Sequence, residues 1–389
     1  MNVRASRLVL LLSLAVGACS SSVSEYALTD GSSSDCLVAA LAADGERCAL
    51  VWAEETHPFG PVGETLRAIK LAGLELESAS MPAINGLADA SAFALVAAGA
   101  SYGVAAYQAM GEQGIDFYLV DPASGAKTGG VRIPDAELSS EALVWTGERF
   151  ALAYRKRLPS GNWPLYLATI DAKATAMERE LALTEETTDY ELSLAWSGAG
   201  FGVAYRAQDG RLLFKAVDPA LEQVRATAVI SEAAPEAHRP QIASSQTEYA
   251  VSWEQYVESP PQITTQVLFR RVASDGSLPG SPLQVSSAGR PCIESRLVWA
   301  KDEWGVGWNQ DDGATEGGMG YYFRRLTPSG AADGDPARIT QASHLRALRL
   351  AWTGKRYLFA WSAQSVGTVP LMGGGAGESK GAWQVFVAF

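Results

Sequence analysis

The sequence predicts an all-β fold: a seven-bladed β-propeller of four-stranded blades in which an N-terminal strand closes the last blade. Three observations predict it. A hairpin signature recurs seven times, its copies are separated by the length of one four-stranded sheet, and the last copy lacks a fourth strand for which a candidate stands near the start of the chain.

The signature is an apolar strand, a short polar turn and an alternating strand that ends in Trp or Tyr. Leu143-Val-Trp-Thr-Gly-Glu-Arg-Phe-Ala-Leu-Ala-Tyr154 and Leu194-Ala-Trp-Ser-Gly-Ala-Gly-Phe-Gly-Val-Ala-Tyr205 are clear copies, as are Leu297 to Trp308 and Leu350 to Trp361. Ile242 to Trp253 fits with a Ser-Ser-Gln-Thr turn, and Leu41 to Trp52 and Leu95 to Tyr107 are more diverged. The closing aromatics Trp52, Tyr107, Tyr154, Tyr205, Trp253, Trp308 and Trp361 lie 55, 47, 51, 48, 55 and 53 residues apart. In Phe150-Ala-Leu-Ala-Tyr154 large residues fall at every second position and share one face. The interleaved Ala and Gly let a neighbouring sheet approach closely.

Each copy continues alike. A third strand follows a variable loop, as at Leu165–Ile170 and Val267–Val272, and a short fourth strand such as Leu181-Ala-Leu-Thr184 closes the unit. The last third strand is expected at Trp383–Phe389, and Tyr26-Ala-Leu-Thr-Asp30 resembles Leu181-Ala-Leu-Thr-Glu185 closely enough to supply the missing fourth. That pairing removes an exposed sheet edge and staples the ring. The organisation is therefore a closing strand at 25–30 and blades near 36–80, 92–134, 140–185, 190–232, 238–287, 292–341 and 346–389, all within a propeller domain spanning 25–389. A six-bladed ring follows instead if 92–134 is an insertion, and a sandwich or solenoid array is the other architecture the repeats allow.

The first eighteen residues carry Arg4 and Arg7, no acid, an apolar stretch from Leu8 to Val16 too short to span a bilayer, and the small pair Gly17-Ala18. Val16-Gly17-Ala18-Cys19 resembles the lipobox of bacterial lipoproteins. The resemblance implies that 1–18 is a cleaved signal peptide, that Cys19 carries the lipid, and that 19–24 is a tether. It implies an exported protein anchored to the cell envelope. Ser20 after the cysteine, where Asp would mean inner-membrane retention, favours the outer membrane. Two or more acyl chains hold a protein firmly where one does not.

Loss of the signal removes two arginines and no acid, so the net charge moves from −12 to −14. Nucleic acid demands clustered Lys or Arg, so that partner class is excluded. Only three histidines occur, His57, His238 and His344, none in a ligand-spaced pair, and Asn309-Gln-Asp-Asp-Gly313 lacks the alternating ligands of a calcium loop, so no metal and no cofactor is expected. No Gly-x-Ser-x-Gly nominates a nucleophile, and Gly373–Lys380 has no Gly-Lys-Ser/Thr.

The motif Leu-Ala-Trp-x-Gly-x-x-Tyr-x-x-x-Trp, with Arg270-Arg-Val-Ala-Ser-Asp-Gly276 after it, is similar to propeller-repeat lipoproteins of predatory and soil bacteria, over nearly the whole mature chain. The resemblance implies a propeller with no assigned activity, and a monomer is expected. There are no Gly-His…Trp-Asp pairs of a WD40 protein, and Ser274-Asp-Gly-Ser277 departs from the sialidase Asp-box order.

In a propeller the loops joining strands 2–3 and 4–1 share one face. The 2–3 loops differ in every copy, among them Arg155–Trp163, Glu254–Gln262 and Ser362–Gly381, so ligand binding is expected there. Asp189, Glu191, His238, Arg239, Glu294, Arg296, His344 and Arg346, each just before a first strand, line the channel mouth on that face. They form either a mixed-charge pocket for a glycan or peptide or a solvated rim whose charges pair together. Trp163 and Tyr256 fall in 2–3 loops outside the core register, to stack on a sugar ring or to pack their own loops down. The expected function is a membrane-anchored binding or scaffolding module for a protein or polysaccharide. The alternative is a glycoside hydrolase or lyase using Glu191 and Glu294, with Arg296 holding a carboxylate. Cys36 and Cys292 occupy equivalent places in blades 1 and 6 and are expected to form the one disulfide, with Cys36 opposite Trp52 or Ala53 and Cys48 a free core thiol.

Overall fold

The repeat dictates its own turns. Where a hydroxyl residue follows the first strand, it closes the hairpin the same way each time. Thr146 Oγ1 accepts the N–H of Arg149 at 3.1 Å and donates to the same residue's carbonyl at 2.9 Å. Ser197 does so with Gly200, Ser245 with Glu248 and Thr353 with Arg356, all between 3.0 and 3.3 Å. Gly147, Gly198 and Gly354 come next at φ 99°, 84° and 85°, where a side chain would be strained.

A computed structural model describes residues 25–388 apart from 28–34, 45–46, 56–64, 73–89, 110, 122–123, 234–235, 260–261, 312, 314–317, 341–344 and 371–375. The expected signal, Cys19 and the tether, together with His57 and His344, lie outside the described residues.

The strands are β1 (Glu25–Ala27), then β2 (Asp35–Asp44), β3 (Arg47–Glu55) and β4 (Thr65–Ala72) of blade 1. Blade 2 holds β5 (Ala90–Ala98), β6 (Ser101–Gln108), β7 (Gly114–Val120) and β8 (Lys127–Pro134). Blade 3 holds β9 (Ala136–Trp145), β10 (Arg149–Lys156), β11 (Leu165–Asp171) and β12 (Met177–Ala182). Blade 4 holds β13 (Thr188–Trp196), β14 (Phe201–Ala207), β15 (Leu212–Val217) and β16 (Val224–Ser231). Blade 5 holds β17 (Ala237–Ser244), β18 (Glu248–Ser259), β19 (Gln262–Ala273) and β20 (Leu283–Gln284). Blade 6 holds β21 (Cys292–Ala300), β22 (Glu303–Asp311), β23 (Met319–Leu326) and β24 (Ala332–Arg338). Blade 7 holds β25 (Leu345–Trp352), β26 (Tyr357–Pro370) and β27 (Ala376–Ala388).

These form seven antiparallel sheets, four-stranded except for the three described strands of blade 1. The second copy makes a complete sheet of its own, so the ring has seven blades and not six. The first strands touch in order, β2 to β5, β9, β13, β17, β21 and β25, and β25 touches β2 again, which closes a ring and excludes a linear array. The fourth strand of blade 7 is β1, with Glu25 opposite Ala388, Tyr26 opposite Val387 and Ala27 opposite Phe386.

Blades stack by placing an aromatic on a small residue. A Cβ built on Gly103 of blade 2 would meet the Phe150 ring of blade 3 at 2.6 Å, one on Gly202 the Tyr249 ring of blade 5 at 2.6 Å, and one on Gly305 the Tyr357 ring of blade 7 at 2.5 Å. The closing aromatics Trp253, Trp308 and Trp361 are wholly buried. The first-strand tryptophans are half-buried lids: Trp145 packs on Phe150, Trp196 on Phe201 and Trp299 on Trp304, with ring centres 4.5 to 4.6 Å apart.

Four expectations are corrected. Most of the 2–3 loops expected at Glu254–Gln262 and Ser362–Gly381 is strand: β18 and β19 pair out to Ser259 and Gln262, and β26 and β27 out to Pro370 and Ala376. The runs Ile263-Thr-Thr-Gln-Val267 and Val366-Gly-Thr-Val369 are rich in β-branched residues, which carry pairing past the blade edge. The last third strand accordingly begins at Ala376 rather than Trp383. Cys36 lies opposite Glu54 rather than Trp52 or Ala53: the pairing of Asp44 with Arg47 sets the register, and the slip between Val38 and Ala40 shifts it by only one residue. The expected Cys36–Cys292 bridge is not made. Cys292 is a free thiol buried inside blade 6, its Sγ 3.1 Å from the Arg290 carbonyl, and blade 7 stands between blades 6 and 1; the side chain of Cys36 lies outside the described residues. Cys48 is a free, buried thiol as expected. Burial pushes Cys48 up to about 11 and Cys292 up to about 12.

Candidate functional site

The first strand of nearly every blade is interrupted, and the interruption organises the channel. Register slips fall between Thr188 and Leu192, His238 and Gln241, Ile293 and Arg296, and Arg346 and Arg349. At these bulges Arg239, Glu294 and Ala347 adopt φ of 48°, 57° and 59°. Such a conformation costs a non-glycine residue about 1 kcal/mol or more and persists only where its surroundings hold it. The holding group comes each time from the preceding blade.

Glu191 of blade 4 accepts the Arg239 N–H at 3.0 Å, and Glu254 of blade 5 accepts the Ser295 N–H at 3.3 Å. Glu294 of blade 6 takes the N–H groups of Ala347 and Leu348, one on each oxygen, both at 3.2 Å. Hydroxyls serve the same purpose: Ser193 accepts from Ile242 at 3.2 Å, and Ser362 of blade 7 from Val38 of blade 1 at 2.8 Å. The two carboxylates that the sequence offered as hydrolytic candidates, Glu191 and Glu294, thus act as caps joining consecutive blades. The buried Tyr321 hydroxyl adds a third bond to Glu294 at 3.3 Å.

Most remaining mouth residues belong to one network between blades 4 and 5. Arg206 bridges Asp189 at 2.6 Å and Glu236 at 2.9 Å. His238 stands between two acids, Nδ1 3.3 Å from Glu191 and Nε2 3.0 Å from Glu236, with the Tyr256 ring edge-on at 5.3 Å. Arg239 reaches Glu254 at 2.9 Å. Burial raises Glu254 above the usual carboxylate range although Arg239 pulls it down. The rim is one whose charges pair together. Arg346 is exposed at the start of β25.

Trp163 is packed on its own loop and tied to the connection that enters blade 4. Its ring lies 5.3 Å from the Arg155 guanidinium, its N–H donates to Thr187 Oγ1 at 3.0 Å, and its carbonyl accepts from Thr188. Tyr256 keeps 39% of its surface exposed, and Tyr190, absent from the sequence candidates, keeps 64%. An aromatic between Asp189 and Glu191, outside the apolar alternation, was the available signal.

The channel itself brings together residues the sequence reading did not select. A central cavity of about 120 Å³ is lined from all seven first strands, with Ser140, Glu141, Ser193, Gln241 and Arg349 as its polar members. Arg296 Nε of blade 6 and Arg349 Nε of blade 7 approach Glu141 Oε1 of blade 3 at 3.6 and 3.9 Å, and Ser140 donates to it at 3.1 Å. Burial alone would raise Glu141, but Arg296, Arg349 and Ser140 together hold it below the usual carboxylate range. Burial and the neighbouring Arg296 charge push Arg349 down to about 10. The signal was a column: the residue before the repeat Leu or Ile is Ala40, Ala94, Ala142, Ser193, Gln241, Arg296 and Arg349 in the seven blades.

Seven radial sheets, a central channel and a strand from the chain start closing the last sheet define a seven-bladed β-propeller. No family model matches the sequence, and no curated protein matches it. Among solved structures it is similar to a neuraminidase-like protein from A/bat/Guatemala/164/2009, at 8% identity and TM-score 0.49 over 74% of this chain and 89% of that one. It is also similar to the β-propeller domain of the trilobed protease from Pyrococcus furiosus, at 10% identity and TM-score 0.45 over 79% and 98%. A third is a protein of unknown function from Dyadobacter fermentans, at 10% identity and TM-score 0.48 over 79% and 95%.

Proposed function

We propose that the chain is a lipid-anchored binding or scaffolding propeller of the cell envelope, tethered through Cys19 and holding a protein or polysaccharide ligand on the face of its 2–3 connections. The observation that carries this reading is the direction of β1. Third strands run from the 2–3 face towards the opposite face, and Glu25 pairs with Ala388 at the far end of β27. The tether therefore joins the ring on the side away from the 2–3 connections. Residues 20–24, fully extended, span at most about 18 Å, which keeps the tether side near the membrane and turns the other side outward.

That outward side carries the two longest hairpins. β18–β19 runs four residues beyond Gln255, the last β18 residue paired with β17, and β26–β27 runs seven beyond Ala363, the last paired with β25. At about 3.4 Å per residue the ribbons rise roughly 14 and 24 Å. Blade 6 lies between them. Variation confined to one face of a repeated scaffold is how such folds acquire ligands.

Two measurements test the reading. Cys19→Ala should move the protein from the membrane to the soluble fraction; membrane retention would refute the anchor. Segment 20–389 should capture a specific protein or polysaccharide from envelope extract. Trimming both hairpins back to the blade edge should abolish capture, and capture that survives trimming would remove the assigned face.

A further inference from the structure

We infer that Tyr190 and Tyr256 form a stacking site for an uncharged glycan at the junction of blades 4 and 5. The inference rests on the reading that the 2–3 face holds the ligand, and it narrows that ligand to a sugar chain without acidic groups.

Exposure is the first argument. Among the described residues these two tyrosines are the large apolar side chains left exposed, and both stand on the face of the 2–3 and 4–1 connections. Tyr190 lies near the start of β13, and Tyr256 lies one residue beyond Gln255, where pairing with β17 ends. Other tyrosine hydroxyls are engaged: Tyr249 donates to the Gly200 carbonyl and Tyr357 to Glu303, both at 2.8 Å. The Tyr190 and Tyr256 hydroxyls have no such partner among the described residues, so no internal hydroxyl bond accounts for them.

Preorganisation is the second. The Tyr190 N–H donates to one oxygen of the Asp189 carboxylate at 2.6 Å, and Arg206 holds the other. Glu191, the next residue, is fixed beneath the Arg239 amide. The Tyr256 N–H donates to the Glu236 carbonyl at 2.8 Å, and its ring meets the His238 ring at 89°, centres 5.3 Å apart. His238 in turn lies 3.3 Å from Glu191. Along this path only Glu191 and His238 stand between the two tyrosines. An aromatic already held in place gives up little freedom on binding.

The chemistry of the partner is the third. A tyrosine buries about 150–250 Å² when fully covered, so two fall well short of the roughly 800 Å² per partner that a stable protein interface takes. A sugar ring is close to a tyrosine ring in size, offers C–H groups to its negative face and turns hydroxyls to the rim. Half-exposed Glu236 and Arg239, each already paired, supply a fixed acceptor and a fixed donor for those hydroxyls. The same network sets four carboxylates, Asp189, Glu191, Glu236 and Glu254, against the guanidinium groups of Arg206 and Arg239. That balance repels a uronate or sulfate chain.

The full chain is titrated with cello-, xylo- and N-acetylchito-oligosaccharides, with oligogalacturonate as the acidic arm and a tryptic casein digest as the peptide arm. Saturable binding of at least one uncharged oligosaccharide is expected, little affected by added salt. Tyr190→Ala and Tyr256→Ala should each weaken it roughly tenfold at an unchanged thermal midpoint. Tyr190→Phe and Tyr256→Phe should keep most of the affinity, because the ring face makes the contact. Trimming β26–β27 alone spares both rings and should leave oligosaccharide binding intact, so loss of the hairpin reading and loss of the tyrosine site give different patterns. No binding in the uncharged arm, tighter binding in the acidic or peptide arm, or wild-type affinity when both tyrosines are changed to Ala would each overturn the proposal.

Discussion

Glu191 on blade 4 accepts the backbone N–H of Arg239 on blade 5 at 3.0 Å, and Arg239 is held there in the left-handed region at φ 48°. The contact welds one blade to the next at the channel mouth. Glu254 and Glu294 repeat it one and two blades further on.

Glu294 carries the heaviest such load. Glu294→Ala leaves the Ala347 and Leu348 amides without their acceptor, at about 1–3 kcal/mol for each buried donor. A loss of about 2–5 kcal/mol in urea unfolding is expected, and Glu294→Gln should lose roughly half as much because one oxygen remains. Wild-type stability in Glu294→Ala would show that the caps are incidental.

The close approach of blades at Gly202 gives a second expectation. Its Cβ would fall 2.6 Å from the Tyr249 ring. Gly202→Val should cost about 1–3 kcal/mol or more through overpacking, read as a lower midpoint in thermal melting. Adding Tyr249→Ala, which clears the space, should make the two changes non-additive in a double-mutant cycle.

Two carboxylates should respond to acid with opposite sign. Glu141 is held below its ordinary 4.5: burial opposes this, and Arg296, Arg349 and Ser140 outweigh it. Its contribution is complete above 4.5 and is lost as pH falls through the lower folded value. Glu254 is raised by burial, so between 4.5 and its folded value the folded state binds the extra proton and stability falls as pH rises. Stability measured from about pH 6 to about pH 3 should show the advantage of wild type over Glu141→Gln shrinking with acid, while wild type gains on Glu254→Gln. Parallel curves would contradict both assignments.

Removing residues 1–27 exposes β27 as an open edge. The truncated chain should melt lower and associate, since an unpaired strand invites pairing with another chain. Light scattering that shows an unchanged monomer would mean that β1 adds little to closure.

The repeat was legible because its physics is local. Alternation, the Thr-Gly and Ser-Gly turns and the seven closing aromatics each follow from neighbouring residues, and the missing fourth strand followed from counting. The channel was less so. Slips of one or two residues, such as those between Val38 and Ala40 and between Thr188 and Leu192, carry no composition signal, yet they moved Cys36 to face Glu54 and put Glu191 and Glu294 beneath the next blade. Glu141 meets Arg296 and Arg349 only because blade 3 stands across the ring from blades 6 and 7, a fact of closure rather than of spacing.

The opposition of Ala388 to Glu25 has a practical corollary. A reporter fused after the last strand would emerge beside the tether and crowd the bilayer in any anchored form. One inserted at the tip of the β26–β27 ribbon, between Pro370 and Ala376, would project into open space. Comparing the two fusions for surface accessibility in intact cells turns a three-residue strand pairing into a compass for the whole particle.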